Sequence, residues 1–103
     1  MTLIGSPHLP LLAQGTATVT LAGTPVQVSS VKGKKIVMQA LEENGETEIF
    51  IGDAATVDAL ASPPVGEHQL FATQTLTKEC NDTSKVYIDA TVDSGKVRFA
   101  VYG

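Results

Sequence analysis

Lys85-Val86-Tyr87-Ile88-Asp89-Ala90 and Lys96-Val97-Arg98-Phe99-Ala100-Val101-Tyr102 alternate along the chain with a period of two. That period belongs to strands with one buried face, because successive side chains leave a strand on opposite sides. Between them lies Asp93-Ser94-Gly95, a short loop containing glycine, so the two runs read as a hairpin. The same alternation recurs upstream in Thr16-Ala17-Thr18-Val19-Thr20-Leu21, with the hydroxyls on one face and Ala17, Val19 and Leu21 on the other. β-branched residues suit that half-buried, pleated surface.

From these runs the rest of the chain falls into short pieces. Gly23-Thr24-Pro25 turns it, and Val26-Gln27-Val28 continues as a second strand. Val31-Lys32-Gly33-Lys34 reads as a loop before the apolar run Lys35 to Leu41. Glu43-Asn44-Gly45-Glu46 follows, and Asn-Gly between apolar runs is a strong hairpin cue, with Thr47 to Ile51 as the returning strand. Val57 to Leu60 fits either a short strand or one helical turn, and Ser62-Pro63-Pro64-Val65-Gly66 breaks the chain. Glu67 to Thr77 reads as one strand with Leu70 inward, and Lys78 to Ser84 as a polar connection whose Asn81-Asp82 supplies turn chemistry. No apolar i, i+3, i+4, i+7 pattern is sustained anywhere. The expectation is an all-β fold: a single β-sandwich or small jelly-roll-like barrel of about seven to eight short antiparallel strands over residues 15–103.

Residues 1–14 do not alternate. Leu3, Ile4, Leu9, Leu11 and Leu12 stand among Gly5, Pro7 and Pro10, which describes an extended N-terminal arm. Such an arm either packs across its own sandwich or reaches onto a neighbouring subunit, since an exposed apolar segment favours being covered. The partner-binding set is therefore Leu3, Ile4, Pro7, Leu9, Pro10, Leu11 and Leu12. The segment lacks a basic n-region, and its prolines interrupt any apolar h-region, so a signal peptide is not expected. No run approaches a membrane helix in length, and synthesis in a cytoplasm-like setting is expected.

Composition excludes more than it selects. The 103 residues are 43% hydrophobic and 17% charged, in the range of one folded domain, with only three Phe, two Tyr and no Trp. A net charge of −4 opposes binding to nucleic acid or an anionic membrane. Lys32, Lys34 and Lys35 form a short basic cluster with no aromatic neighbours, which reads as a solvated turn. Gly33-Lys34-Lys35 lacks the first glycine and the Ser/Thr of a phosphate-binding loop.

Catalytic sets are missing as well. Cys80 cannot form an internal disulfide, and its acidic neighbours Glu79 and Asp82 disfavour a reactive thiolate. His8 and His68 belong to no recognisable triad, and one Cys with two distant His does not make a zinc site. Gly52-Asp53 and Asp89 to Asp93 are too sparse for calcium and read as turn-forming acids. The reading is a non-enzymatic protein with no catalytic residue, no metal and no cofactor.

From Thr47 onward the chain resembles small accessory virion proteins of tailed bacteriophages. The resemblance rests on Ile49-Phe50-Ile51-Gly52-Asp53, Pro64-Val65-Gly66-Glu67, Ser84-Lys85-Val86-Tyr87-Ile88-Asp89-Ala90 and Gly95-Lys96-Val97-Arg98-Phe99. Thr24-Pro25-Val26-Gln27-Val28 leading into Lys35-Ile36-Val37-Met38-Gln39-Ala40 extends it over about Thr24 to Val101. The segment Phe71 to Thr83 departs from that look by its length. The resemblance implies a β-sandwich attached to a capsid or tail in several copies, and it transfers no functional residue.

Two readings follow. The first is a capsid decoration, or cement, protein at the virion surface, binding the major capsid protein or other virion subunits as a homo-oligomer, with a trimer favoured. The second is a tail- or head-associated module that binds a receptor or glycan, for which Tyr87 and Tyr102 are the candidate ligand-facing aromatics.

Overall fold

Alternation builds the strands as expected. In β3 (Lys35–Ala40) Ile36, Met38 and Ala40 are buried, and the residues between them are half-exposed. In β8 (Gly95–Tyr102) Gly95, Val97 and Val101 are buried while Arg98 is exposed. A computed structural model describes residues 9–45 and 47–103. The remaining strands are β1 (Leu11–Val19), β2 (Val26–Gln27), β4 (Ile49–Gly52), β5 (His68–Leu70), β6 (Thr75–Glu79) and β7 (Tyr87–Ala90). Two single turns of 3-10 helix, Glu42–Asn44 and Thr83–Lys85, complete the described elements.

The strands form two four-stranded antiparallel sheets, β1-β8-β3-β6 and β2-β7-β4-β5. β1 pairs with β8, β2 with β7, β3 with β6 and β4 with β5. The first strand thus meets the last, the second the next to last, and so on inward. The chain is one long two-stranded ribbon folded at β4–β5 and rolled into two layers, which is the jelly-roll topology.

The inner faces supply an aliphatic core that includes Val19, Ile36, Met38, Ile49, Ile51, Ile88, Val97 and Val101. Each such side chain contributes about 1.5–3 kcal/mol by leaving water. β4 is buried on both faces because the segment 53–67 folds over its outer side, where Phe50, Val57 and Ala59 form a second cluster against Tyr87.

Neither expected hairpin forms. β3 and β4 lie in different sheets, and so do β7 and β8, so both connections arch across the core. At Asn44-Gly45 the turn residues serve another purpose. The Asn44 side-chain amide donates to the Lys96 carbonyl at 2.8 Å and accepts from the Lys96 N–H at 3.0 Å. It extends the β3–β8 pairing by one rung, while Gly45 turns away at φ 60°. At the other arch, a Cβ on Gly95 would lie 2.6 Å from the Ala90 Cβ, so the two strands pass face to face across the core.

Three further expectations change. Glu67 to Thr77 is two strands in opposite sheets, split by a turn in which Thr73 takes φ 69°. Leu21, placed inward with Ala17 and Val19, lies beyond the end of β1 and is exposed. Val57 to Leu60 contributes only an isolated bridge, Asp58 to Val65.

On the side where β5 and β6 are the outermost strands, Lys78 closes the gap between the sheets. Its ammonium lies 3.1 Å from both the Asp53 and the Glu67 carboxylates. Partial burial works against the charge, but hydrogen bonds and attraction from both acids outweigh it and hold the Lys78 pKa above its ordinary 10.5. A raised folded pKa means the contribution is full below 10.5 and is lost as pH rises through the folded value. Both acids are solvated, so Lys78→Met is expected to cost no more than about 1 kcal/mol at neutral pH. Thermal melts of wild type and Lys78→Met should converge above pH 10.5.

Candidate functional site

The interior is packed aliphatic side chains, so any functional surface lies outside. Among the described residues, no group of three or more His, Cys, Asp or Glu is placed to hold a metal ion. Nor is any helix there long and apolar enough to cross a membrane. Cys80 is free and half-buried, resting against the edge of the core. His68 is exposed on β5, while His8 lies outside the described residues.

The expected arm divides at Leu9. Leu3, Ile4 and Pro7 lie outside the described residues. Pro10 is tied to the far end of the chain, its carbonyl accepting from the Gly103 N–H at 3.0 Å. Leu11 and Leu12 belong to β1, which pairs with β8 from Leu11 onward, with a register shift between Leu11 and Ala13. Leu9, Leu11 and Leu12 are 38%, 49% and 43% exposed. Three large apolar side chains therefore face water at the start of one strand, where a sandwich ordinarily has polar residues.

The opposite end of β1 carries a second exposed group that the sequence did not disclose. Leu21, Leu60 and Val92 are each more than half exposed. They come from three different connections held together by Asp93 and Asp89. The Ala22 N–H donates to Asp93 at 2.8 Å. Asp89 accepts from the Gly23 N–H at 2.9 Å and from the Ala59 N–H at 2.7 Å. Asp89 is wholly buried in β7, and the next residue in the strand, Ala90, donates a third backbone bond at 2.9 Å. It organises this end of the sandwich and does not form the turn itself.

Tyr87 and Tyr102 do not converge. Tyr87 is half-buried beside the Phe50, Val57 and Ala59 cluster on one sheet. Tyr102 is half-buried on the other sheet with the Lys35 ammonium 5.2 Å from its ring centroid, a cation–π contact. In the basic cluster Lys32 and Lys34 are exposed, as a solvated turn requires, and only the glycine between them is buried. Gly33 lies so close to Val101 and to the Tyr102 carbonyl that an added Cβ would sit 2.5 Å and 2.7 Å from them. A shallow open depression of about 430 Å³ lies over β1, β8 and β3, with Gln14, Gln39 and Arg98 on its rim and Phe99 visible where Gly15 has no side chain.

Comparison with protein-family models, with curated proteins and with solved structures finds no match for this chain.

Proposed function

We propose that the protein is a non-enzymatic structural component of a tailed-phage virion, a decoration protein that docks on the assembled capsid and stabilises it. The observation that supports this reading is the exposed apolar start of β1, Leu9, Leu11 and Leu12, continuing from the apolar N-terminal segment. Jelly rolls serve both as viral capsid domains and as lectins, so the fold agrees with the reading by analogy. The acidic net charge of −4 suits a protein on a particle surface, where it avoids nucleic acid.

Binding only the assembled lattice would stabilise that lattice by mass action. The test is co-sedimentation with shells assembled from the major capsid protein. A Leu9→Ser, Leu11→Ser, Leu12→Ser variant is expected to lose at least about tenfold in affinity, since each leucine removed from a dry contact is worth more than about 1 kcal/mol. Wild-type protein should pellet with shells and raise their melting temperature. Equal pelleting of the two proteins would remove the role given to β1. Failure of both to pellet, with wild-type protein retained on a glycan array, would transfer the protein to the receptor-binding class.

A further inference from the structure

The two sheets have four outer edges, and three of them are protected against pairing. β2 is two residues long and β5 three. β6 carries Glu79 and also Lys78, whose ammonium meets the Asp53 and Glu67 carboxylates. Short strands and charged side chains are the usual means of keeping an edge unpaired. β1 has neither: it runs nine residues, Leu-Leu-Ala-Gln-Gly-Thr-Ala-Thr-Val, without a charge or a proline.

The register identifies which backbone groups of β1 are free. The Leu41 N–H donates to the Lys96 carbonyl, which marks Ala40 opposite Val97 as a pair without mutual hydrogen bonds. Val97, Phe99 and Val101 therefore direct their backbone bonds to the other neighbour, β1, where they face Ala17, Gly15 and Ala13. Gln14, Thr16 and Thr18 alternate with those residues, so their N–H and C=O groups point outward. Among the described residues β1 pairs with β8 alone.

We propose that β1 is a two-fold seam, pairing antiparallel with β1 of a second copy of this chain. One register matches every outward group with another. Thr16 faces Thr16 of the second copy, and Gln14 faces Thr18 on either side, giving six backbone hydrogen bonds from three residue pairs that each exchange two. Thr–Thr neighbours are favourable across a sheet. The antiparallel direction also brings the Leu12 end of each copy toward the end of the other that carries Leu21, two side chains that are 43% and 58% exposed in the single chain. The contact is self-complementary, as a two-fold interface must be.

Charge does not oppose it. Among the described residues, the nearest formal charges facing each other across the axis are the two copies of Arg98, each one strand behind a β1. Three strand spacings separate them, roughly 14 Å, beyond the screening length at physiological salt. The seam is a two-fold alternative to the three-fold arrangement expected from the sequence. It also sets the Leu9 and Leu11 ends of the two copies at opposite ends of the pair, an arrangement suited to contacting two shell subunits at once.

The experiment is a mass measurement by analytical ultracentrifugation, with amide hydrogen exchange at high and low protein concentration. Wild type should be a dimer in which the Gln14, Thr16 and Thr18 amides become more protected as concentration rises. Thr16→Lys places two ammonium groups opposite each other on the axis, and Thr16→Pro removes an outward N–H that β8 does not use. Both variants should be monomers with unchanged far-ultraviolet circular dichroism. A monomeric wild type, or a dimer that survives both substitutions, would overturn the seam. Because Thr16 lies outside the leucine group, shell pelleting by these monomers separates failure of the seam from failure of the docking reading.

Discussion

Asp89→Ala is expected to cost about 3 kcal/mol or more and to lower the melting temperature by more than about 12 °C. Asp89 is fully buried, with no charged partner among the described residues, and its carboxylate is satisfied by the backbone N–H groups of Gly23, Ala59 and Ala90. Alanine leaves the buried Ala59 and Ala90 donors and the half-buried Gly23 donor without an acceptor, a buried one costing roughly 1–3 kcal/mol when stranded. A domain of this size has only about 5–15 kcal/mol in total, so the loss is a large part of its stability. Asp89→Asn should fall between wild type and alanine for a geometric reason. An asparagine oxygen in the place of Oδ1 keeps Gly23 and Ala90, but its amide then meets the Ala59 N–H donor to donor. Differential scanning calorimetry of the three proteins checks the order wild type, asparagine, alanine. An Asp89→Ala protein that melts with wild type would refute the account of Asp89 as the tie of that end.

The second large effect is expected at the opposite end of the sandwich, from Thr83→Val. Thr83 is fully buried, its hydroxyl accepting from the Gly33 N–H and donating to the Val31 carbonyl, both at 2.8 Å. Valine preserves the shape and removes both bonds, which strands a donor and an acceptor at a cost of about 2–4 kcal/mol. Thr83→Ser keeps the hydroxyl and should lose only about 1 kcal/mol with its methyl group. Gly33→Ala should damage the same knot from the other side, because the new Cβ would press on Val101 and on the immovable Tyr102 carbonyl. Overpacking of that kind costs about 1–3 kcal/mol. Urea denaturation separates the cases: Thr83→Val should shift the midpoint by several times the shift of Thr83→Ser. Equal midpoints would mean that the hydroxyl bonds carry no stability.

The strands were legible where one face is buried and the other wet. Ile36 and Met38 in β3, and Val97 and Val101 in β8, alternate in the sequence and are buried in the structure. Their sheet partners were not legible. A turn signal such as Asn44-Gly45 states that the chain reverses, and it is silent on whether the reversal stays within a sheet or crosses the core. Gly95 against Ala90 decides that question by close approach between layers, a contact with no local signature.

The candidate surface was legible in the same uneven way. Leu11 and Leu12 stood out as apolar, but their place in β1 was hidden because the register shift before Ala13 interrupts the alternation. Leu21 continues the alternation of Ala17 and Val19 on paper, yet the strand ends at Val19, so the pattern outlives the structure by two residues. Leu60 and Val92 join Leu21 only through the long-range bonds of Asp89 and Asp93. Asp89 itself reads as any other acid near a turn, because two of the three backbone donors converging on its carboxylate, Gly23 and Ala59, come from distant parts of the chain.

The pairing of first strand with last has a consequence for synthesis. β8 is the last strand to leave the ribosome, and it lies between β1 and β3 in its sheet. Until it emerges, β1 has no neighbour on either side, and β3 has only β6. The β1 side of that sheet therefore waits for β8 to emerge, with an uncharged nine-residue strand unpaired in the meantime. Long-range closure of this kind is slow and exposed to misassembly until the last of the eight strands is in place.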